Sequence, residues 1–393
     1  MYKRIYAAPA ALVAAALILT SCSTPLGPDR QSENNAFGPR FATVAPPVSN
    51  GLVLDQWNGS LMENPINPGT CDGNNPCFIK GFNPKNPHVG DVIVATFFWT
   101  GSTNIITSVT DHLTDVARTP VGNQYTLINY STDGNVSMAT YVATNVQNFP
   151  DTSTDYSKIL AVRANLSAAP TDGGVVMAAY SGLQVTIGAS SSAQGSDTMP
   201  VAAAAGPVSA AAGGLVYSVT MSGTLVGLEH PAAPFADVAE MSDNFMKSDA
   251  EYAVLPNGGT VNPQWTWFFS GPRGNWLASS VALNPKATRL VFTTQPSTTL
   301  PLMTITPAVQ VQAVDDLGNT VANFTGSVTI AIGHNGGLVL PGTLSGTKTL
   351  NFVNGVATFS DLSIDQAGNG YTLVVTGSGL KTAESAPFNI GAL

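Results

Sequence analysis

Side chains that could carry acid–base or metal chemistry are sparse in this sequence and lie between apolar runs. Asp111, His112 and Asp115 form the densest polar cluster. Carboxylate oxygens are the hard ligands that calcium takes, so Asp111 and Asp115 are the candidate ligands for a calcium ion. Aspartates also cap turns in solvated loops. The residues leave both interpretations open, and no other cofactor is expected.

Paired carboxyl groups would be needed by a glycan hydrolase, whose retaining type holds two of them about 5 Å apart. The loop residues that could contribute are Asp111, Asp115, Glu229 and Glu240. No pair among them is preferred. Asp237, Glu240 and Asp243 surround Met241 and are interpreted as a charged loop or a short helical face.

Catalytic motifs are missing from the sequence. Glu229-His230 is followed by Pro231, so there is no His-Glu-x-x-His metalloprotease helix. Neither a Gly-x-Ser-x-Gly nucleophile elbow nor a phosphate-binding glycine loop with a lysine occurs. The histidines are interpreted as solvated or backbone-bonded loop residues. The prediction is a protein that is not an enzyme.

Aromatic residues offer a different candidate site. Trp265, Trp267 and Phe269 are spaced two residues apart, so they share one face of a regular strand. If that face is exposed, Trp265 and Trp267 are the candidate ligand-binding residues, because rings of this kind stack on sugars or on a partner protein. If it is buried, the same row is sandwich core.

The cysteines indicate an oxidising compartment. Cys71 and Cys77 lie in a turn-rich loop whose ends can meet, so a local disulfide is predicted. A metal site would need more cysteine or histidine at ligand spacing. No metal is therefore expected at these two residues.

Composition supports export and a β-rich fold. Of 393 residues, 44% are hydrophobic and only 10% are charged, against roughly 25% in a typical globular domain. Gly (38) and Pro (27) are abundant. The balance of 15 basic and 24 acidic residues gives a net charge of −9, which would repel nucleic-acid phosphates. A nucleic-acid partner and a helical cytosolic enzyme are both disfavoured.

Short apolar runs separated by turn residues fill the chain from about residue 49. They are enriched in β-branched and aromatic residues, and no long stretch keeps helical spacing. The runs before residue 286 are 91–99, 125–130, 136–146, 159–166, 174–180, 214–221, 251–255, 264–270 and 276–283. Successive strands without intervening helices predict an all-β protein built from sandwiches.

The N-terminus has the layout of a secretory signal peptide over residues 1–21. Lys3 and Arg4 form a basic region. The apolar stretch at 7–19 is shorter than the roughly 20 residues that span a bilayer. Export is therefore predicted.

The end of this segment, Leu19-Thr20-Ser21-Cys22, resembles a bacterial lipobox. The resemblance implies cleavage before Cys22, lipidation of Cys22 and anchoring to a membrane. If the cell has two membranes, Ser23 at the next position favours the outer one by resemblance to sorted lipoproteins. Residues 22–48 are rich in proline and poor in apolar residues, so a disordered tether is expected.

Residues 49–286 resemble a widespread bacterial extracellular domain of jelly-roll type. The landmarks are Val89-Gly90-Asp91, Ser108-Val109-Thr110-Asp111, Tyr125-Thr126-Leu127, Ala178-Ala179-Tyr180-Ser181-Gly182 and the run from Trp276 to Leu283. The segment 111–122 is longer than the short turn usual in that family. The resemblance implies a jelly-roll-like β-sandwich and says almost nothing about activity.

Residues 287–393 resemble bacterial Ig-like repeats, from the opening strand at 287–296 to Gly370-Tyr371-Thr372-Leu373. Val309, Val311 and Ala313 alternate with glutamines, as in a strand with one buried face. Asn354-Gly355 is a hairpin dipeptide. Tyr371 is expected to form a tyrosine corner. In that family such modules are spacers or adhesive units.

The combined expectation is a non-enzymatic bacterial cell-surface lipoprotein that presents tandem β-sandwich domains for binding, adhesion or envelope structure. Its partners would be the membrane, through lipidated Cys22, and a glycan or a cell-surface protein. One alternative is a carbohydrate-binding protein that uses strand aromatics. The other is a glycan-active hydrolase or lyase with an Ig-like accessory domain.

Overall fold

The computed structural model describes residues 51–62, 71, 75–182, 184–197, 200–224, 227–243, 245–268, 274–377 and 379–391. The predicted signal peptide (1–21) and tether (22–48) lie outside this part of the chain. The described residues form antiparallel sheets, and their helical content is the 3-10 turn Tyr156–Lys158. The all-β prediction is confirmed: jelly-roll-like sandwiches are followed by an Ig-like sandwich. No helix within the described ranges has the length and apolarity to cross a bilayer.

The first eight strands form what we call the first sandwich. They are β1 Val53–Met62, β2 Cys77–Gly81, β3 Val92–Thr100, β4 Ile106–Leu113, β5 Thr126–Thr132, β6 Val136–Ala143, β7 Leu160–Leu166 and β8 Gly173–Ser181. A five-stranded sheet has the order β1-β8-β3-β6-β5. A three-stranded sheet, β2-β7-β4, covers one of its faces.

The next ten strands form the second sandwich. They are β9 Val185–Asp197, β10 Val201–Ala203, β11 Val208–Ala210, β12 Gly214–Ser222, β13 Gly227–Glu229, β14 Ala236–Ser242, β15 Lys247–Leu255, β16 Gly259–Val261, β17 Trp265–Phe268 and β18 Gly274–Pro285. The five-stranded sheet has the order β9-β18-β12-β15-β14. The smaller sheets are β10-β17-β13 and β11-β16.

The two sandwiches repeat one topology. Each large sheet begins with the strand that opens the repeat, followed by the closing strand and then the central strand. The last two strands of each large sheet also pair with a register shift at the same place, between Leu127 and Asn129 in β5 and between Asp237 and Ala239 in β14. The described residues of the segment 49–286 thus contain two stacked sandwiches.

The two large sheets pack face to face. β1 lies against β14 and β5 lies against β9, which is the arrangement of a pseudo-two-fold pair. The shared core includes Val94, Phe98, Tyr180, Tyr217 and Tyr252. Because β3 and its neighbours are covered on both faces, they read as continuous apolar runs rather than alternating ones.

The last eleven strands form the Ig-like sandwich. They are β19 Arg289–Thr294, β20 Val309–Val314, β21 Ser327–Ile332, β22 Leu344–Ser345, β23 Thr349–Asn351, β24 Val356–Phe359, β25 Ser363–Ile364, β26 Gly368–Tyr371, β27 Leu373–Gly377, β28 Ala383–Glu384 and β29 Phe388–Ile390. The main sheets are β19-β20-β24 and β23-β21-β27-β28. The short pairs β22-β25 and β26-β29 complete the sandwich.

Three local predictions for the Ig-like sandwich are confirmed. Along β20 the apolar residues are buried and the glutamines are half-buried. Asn354 and Gly355 both have positive φ, at 51° and 74°, in the tight turn that precedes β24. The hydroxyl of buried Tyr371 donates to the carbonyl of Gln366 at 3.0 Å, which is the hydrogen bond of a tyrosine corner.

Candidate functional site

Four carboxylates meet on the outer face of the large sheet of the second sandwich. In the register of β14 and β15, Asp237 is opposite Glu251 and Glu240 is opposite Asp249. Residues three apart on a regular strand point to opposite faces. The register shift at Val238 adds one residue, so Asp237 and Glu240 lie on the same face as Asp249 and Glu251. This β-bulge at Val238 therefore places the four carboxylates on one face of the sheet.

His230 follows β13 and lies among these carboxylates. Its Nδ1 is 3.0 Å from Glu251 Oε1, 3.2 Å from Asp249 Oδ2 and 3.6 Å from Asp237 Oδ1. Its Nε2 is 3.4 Å from Glu240 Oε2. One imidazole therefore contacts all four carboxyl groups. We call His230, the four carboxylates and Lys247 the charged cluster.

Two further side chains fix the orientation of these carboxylates. Lys247 Nζ is 2.7 Å from Glu240 Oε1. Trp265 Nε1 donates to Asp249 Oδ2 at 2.6 Å. The other oxygen of that carboxylate, Asp249 Oδ1, is buried and has no hydrogen-bond partner. An unpaired buried carboxylate oxygen is costly, because its hydration is lost without replacement.

Burial within the charged cluster is graded. Asp249 and Glu251 are fully buried, while the Asp237, Glu240 and Lys247 side chains each retain about a tenth of their exposure. The His230 side chain is 34% exposed. The cluster therefore opens to solvent at its histidine.

The pKa values of the groups in the charged cluster are shifted in different directions. Hydrogen bonds that the His230 ring donates to the carboxylates, Asp249 first, raise the pKa of His230 to about 12. The hydrogen bond from His230 lowers the pKa of Glu240 to about 2, against an opposing effect of burial. Burial raises the pKa of Asp249 and brings that of Glu251 to about 8. At neutral pH a histidinium and an ionised Glu240 thus lie beside Glu251, whose carboxyl retains its proton.

The same positions in the first sandwich are apolar or aromatic. The registers on either side of the two bulges match the four carboxylates with Leu127, Tyr130, Ala139 and Tyr141. Ala139 and Tyr141 belong to the core between the sheets, and Tyr130 packs against it. The first sandwich therefore forms the same topology without charged residues at these four positions. Buried charges seldom improve stability over apolar residues of similar volume, so their presence in the second sandwich calls for a functional explanation.

Of the two alternatives for the aromatic row, the structure shows the buried one for Trp265 and Trp267. Trp265 and Trp267 are fully buried and pack with Ala203 beneath the smaller sheet. This corrects the exposed alternative, because neither ring offers a face to a sugar; Trp265 instead binds the buried carboxylate of Asp249. Phe268 alternates outward and is 42% exposed. Phe269 lies outside the described residues.

Asp111 lies near the end of strand β4 rather than on a loop, and both Asp111 and Asp115 accept hydrogen bonds from the segment that follows. Asp111 is buried and accepts hydrogen bonds from the backbone of Gly122 and Asn123 and from the Asn123 side chain at 2.7 Å. Asp115 accepts from the backbone and hydroxyl of Thr119 at 2.8 and 2.6 Å. These hydrogen bonds agree with the interpretation of the two aspartates as turn-capping residues rather than calcium ligands. Neither aspartate belongs to a group of three potential metal ligands found within the described ranges.

The second acidic group is also placed differently from its prediction. Asp237 and Glu240 lie on strand β14, not on a loop or helical face. Asp243 caps the turn after that strand by accepting from the backbone of Phe245 and Met246 at 2.7 and 2.6 Å. The predicted disulfide between Cys71 and Cys77 is confirmed, with 5.8 Å between the Cα atoms.

Another acid group, in the first sandwich, was not anticipated. His88 contacts Asp55 through its backbone nitrogen at 3.1 Å and its Nδ1 at 3.0 Å, and its backbone nitrogen also contacts Asp91. Burial, followed by the nearby carboxylate of Asp55, raises the pKa of Asp91 to about 8. These three residues bring ligand-type atoms within 4.8 Å of one another.

Comparison of the chain with protein-family models, with curated proteins and with solved structures finds no match. No family is therefore assigned. The charged cluster of the second sandwich is the strongest candidate site, since it combines burial, convergence of unlike charges and an unpaired carboxylate oxygen.

Proposed function

We propose that the chain is a lipid-anchored envelope protein whose sandwiches form a non-enzymatic scaffold for binding or adhesion at the cell surface. The observation that supports this most is the architecture: the described residues consist almost wholly of two stacked sandwiches and an Ig-like sandwich. The Leu19-Thr20-Ser21-Cys22 segment supplies the site for an anchor. The disulfide between Cys71 and Cys77 fits an oxidising compartment outside the cytoplasm.

The anchor is tested by metabolic labelling with an alkyne-bearing fatty acid in a bacterial host. The full chain should incorporate label and sediment with membranes, and Cys22→Ala should do neither. A Cys71→Ser, Cys77→Ser double variant is the matched control, because it removes the other two cysteines and should keep the label. An unlabelled wild-type chain released into the medium would refute anchoring.

The scaffold role is tested by whole-cell binding. Cells that display the anchored chain should attach to a glycan or protein surface that cells with the Cys22→Ala chain do not bind. Equal attachment of both cell types across glycan arrays and matrix proteins would overturn the proposal. Proteolytic shaving of intact cells should also release the sandwich fragments, since the proposal places them outside the membrane.

A glycan hydrolase is a second candidate, favoured by one specific observation. Ligand-type oxygens of Asp237 and Glu251 lie within 4.8 Å of each other, near the carboxyl separation of retaining glycosidases. The pKa of Glu251 is raised to about 8, as a proton donor requires. Release of reducing ends from a polysaccharide by the wild-type chain, lost in Glu251→Gln, would support this function. If the wild-type chain releases no reducing ends from any polysaccharide tested, the hydrolase candidate is rejected.

A further inference from the structure

We propose that the charged cluster of the second sandwich is a divalent-metal site in which His230, Asp237 and Glu251 supply the ligands. The three ligand-type atoms lie within 4.8 Å of one another. Nδ1 of His230 is 3.0 Å from Glu251 and 3.6 Å from Asp237. Ligands about 2.1 Å from one tetrahedral ion are about 3.4 Å apart, so an ion fits between them with small side-chain shifts.

An independent observation points to a missing partner. Asp249 is fully buried, and its Oδ2 lies 3.2 Å from His230 Nδ1, but its Oδ1 has no hydrogen-bond partner. Buried carboxylate oxygens in native proteins are almost always paired. A cation beside His230 would offset the negative charge of this buried carboxylate, whose Oδ2 faces the ring. Trp265 holds the other oxygen of this carboxylate in place.

The charge balance agrees with a doubly charged ion. His230 ligates as a neutral imidazole, so Lys247 is the positive charge that faces the four carboxylates, and about three negative charges are in excess when every carboxyl is ionised. The matching positions of the first sandwich need no such charges. One divalent cation would offset most of this excess in a cluster that the fold itself does not require.

The ligand types select the class of metal. An imidazole nitrogen combined with carboxylate oxygens suits Zn²⁺ or Mn²⁺, whereas calcium prefers oxygen ligands throughout. Metal-binding histidines commonly hold a carboxylate on the other ring nitrogen. Here Glu240 lies 3.4 Å from His230 Nε2 and is itself held by Lys247 at 2.7 Å. Glu240 is thus a positioning residue for the imidazole.

Access is provided by the histidine. The His230 side chain is 34% exposed, while the carboxylates behind it are almost covered. An ion from solvent would therefore reach the histidine first and the buried oxygens next. The same geometry lets a chelator remove the ion without unfolding the sandwich.

The test uses the full chain purified in detergent, stripped with EDTA and titrated calorimetrically with Zn²⁺, Mn²⁺ and Ca²⁺. We expect one equivalent of Zn²⁺ or Mn²⁺ per chain and no comparable binding of Ca²⁺. His230→Ala and Glu251→Gln should abolish binding, and Glu240→Gln should weaken it by about 10- to 100-fold. His88→Ala is the matched control, since that histidine belongs to the acid group of the first sandwich.

Absence of stoichiometric binding to the stripped wild type would overturn the proposal. Binding that survives both His230→Ala and Glu251→Gln, binding lost in His88→Ala, or a preference for Ca²⁺ would do so as well. Because a core variant can fail to fold, Co²⁺ is added to the wild-type chain as a second measurement. Visible d–d absorption that Zn²⁺ displaces supports a closed nitrogen–oxygen site, and a spectrum like that of aqueous Co²⁺ refutes it.

Discussion

The stability of the first sandwich should decrease as pH rises from 5 to 8, and Asp91 should be the reason. Asp91 is buried and lies close to Asp55, so its pKa is about 8 in the folded chain, against about 3.9 for an unfolded aspartate. The folded state therefore binds a proton that the unfolded state has released. That contribution to stability is complete below pH 4 and is lost as pH rises through 8.

The magnitude follows from the shift. Four pKa units correspond to about 5 kcal/mol. The Asp55 side chain is 10% exposed and that of His88 is 48% exposed. Solvent screening is therefore expected to reduce the loss of stability between pH 5 and pH 8 to about 2 kcal/mol. Asp91→Asn keeps the shape and a hydrogen-bond donor for Asp55, so the variant should match the wild type at pH 5 and be more stable at pH 8.

The assay is urea denaturation of both chains at pH 5, 6, 7 and 8, with the difference in free energy of unfolding taken at each pH. The difference cancels other titrating groups, including Glu251. Asp155→Asn is the control: its carboxylate has a lowered pKa, because Ser157 donates to it, and should leave the slope unchanged. The same pH slope in Asp91→Asn as in the wild type would refute the assignment.

Three further predictions concern stability. The Cys71→Ser, Cys77→Ser variant should lose about 2 kcal/mol, because the unfolded loop is no longer closed; a loss near zero in urea denaturation would contradict this. Trp267→Ala should lose about 3–5 kcal/mol, since the buried ring leaves a cavity, and an unchanged melting temperature would place the ring at the surface. Tyr371→Phe should lower the stability of the Ig-like sandwich by about 1 kcal/mol, measured calorimetrically; no change would mean that the bond to Gln366 is dispensable.

Strand content was readable from the sequence because its signals are local. The apolar run of β3 and the alternation around Val311 each predict a strand without knowledge of the partner strands. The Asn354-Gly355 turn and the Tyr371 corner depend on residues a few positions apart. The duplication was not readable, because equivalent positions such as Tyr141 and Glu251 share no side-chain chemistry.

The charged cluster could not be predicted for a related reason. Asp237 and Glu240 are spaced so that a regular strand would place them on opposite faces, and only the bulge reverses this. His230 joins them from a different sheet. The dipeptide Glu229-His230 was a usable signal, but its neighbours in the chain exclude only one type of metal helix and give no indication of Asp249 or Glu251.

The face-to-face packing of the two large sheets has a consequence for the order of events during export. The first sandwich is complete once β8 has emerged, yet one face of its large sheet is covered only by the large sheet of the second sandwich, whose last strand, β18, ends at Pro285. A chain halted at Ser181 would expose the apolar face of this large sheet to solvent. Such an intermediate would self-associate unless a chaperone bound its exposed apolar face. A stop codon between the two sandwiches should therefore give aggregates rather than a soluble half-size protein.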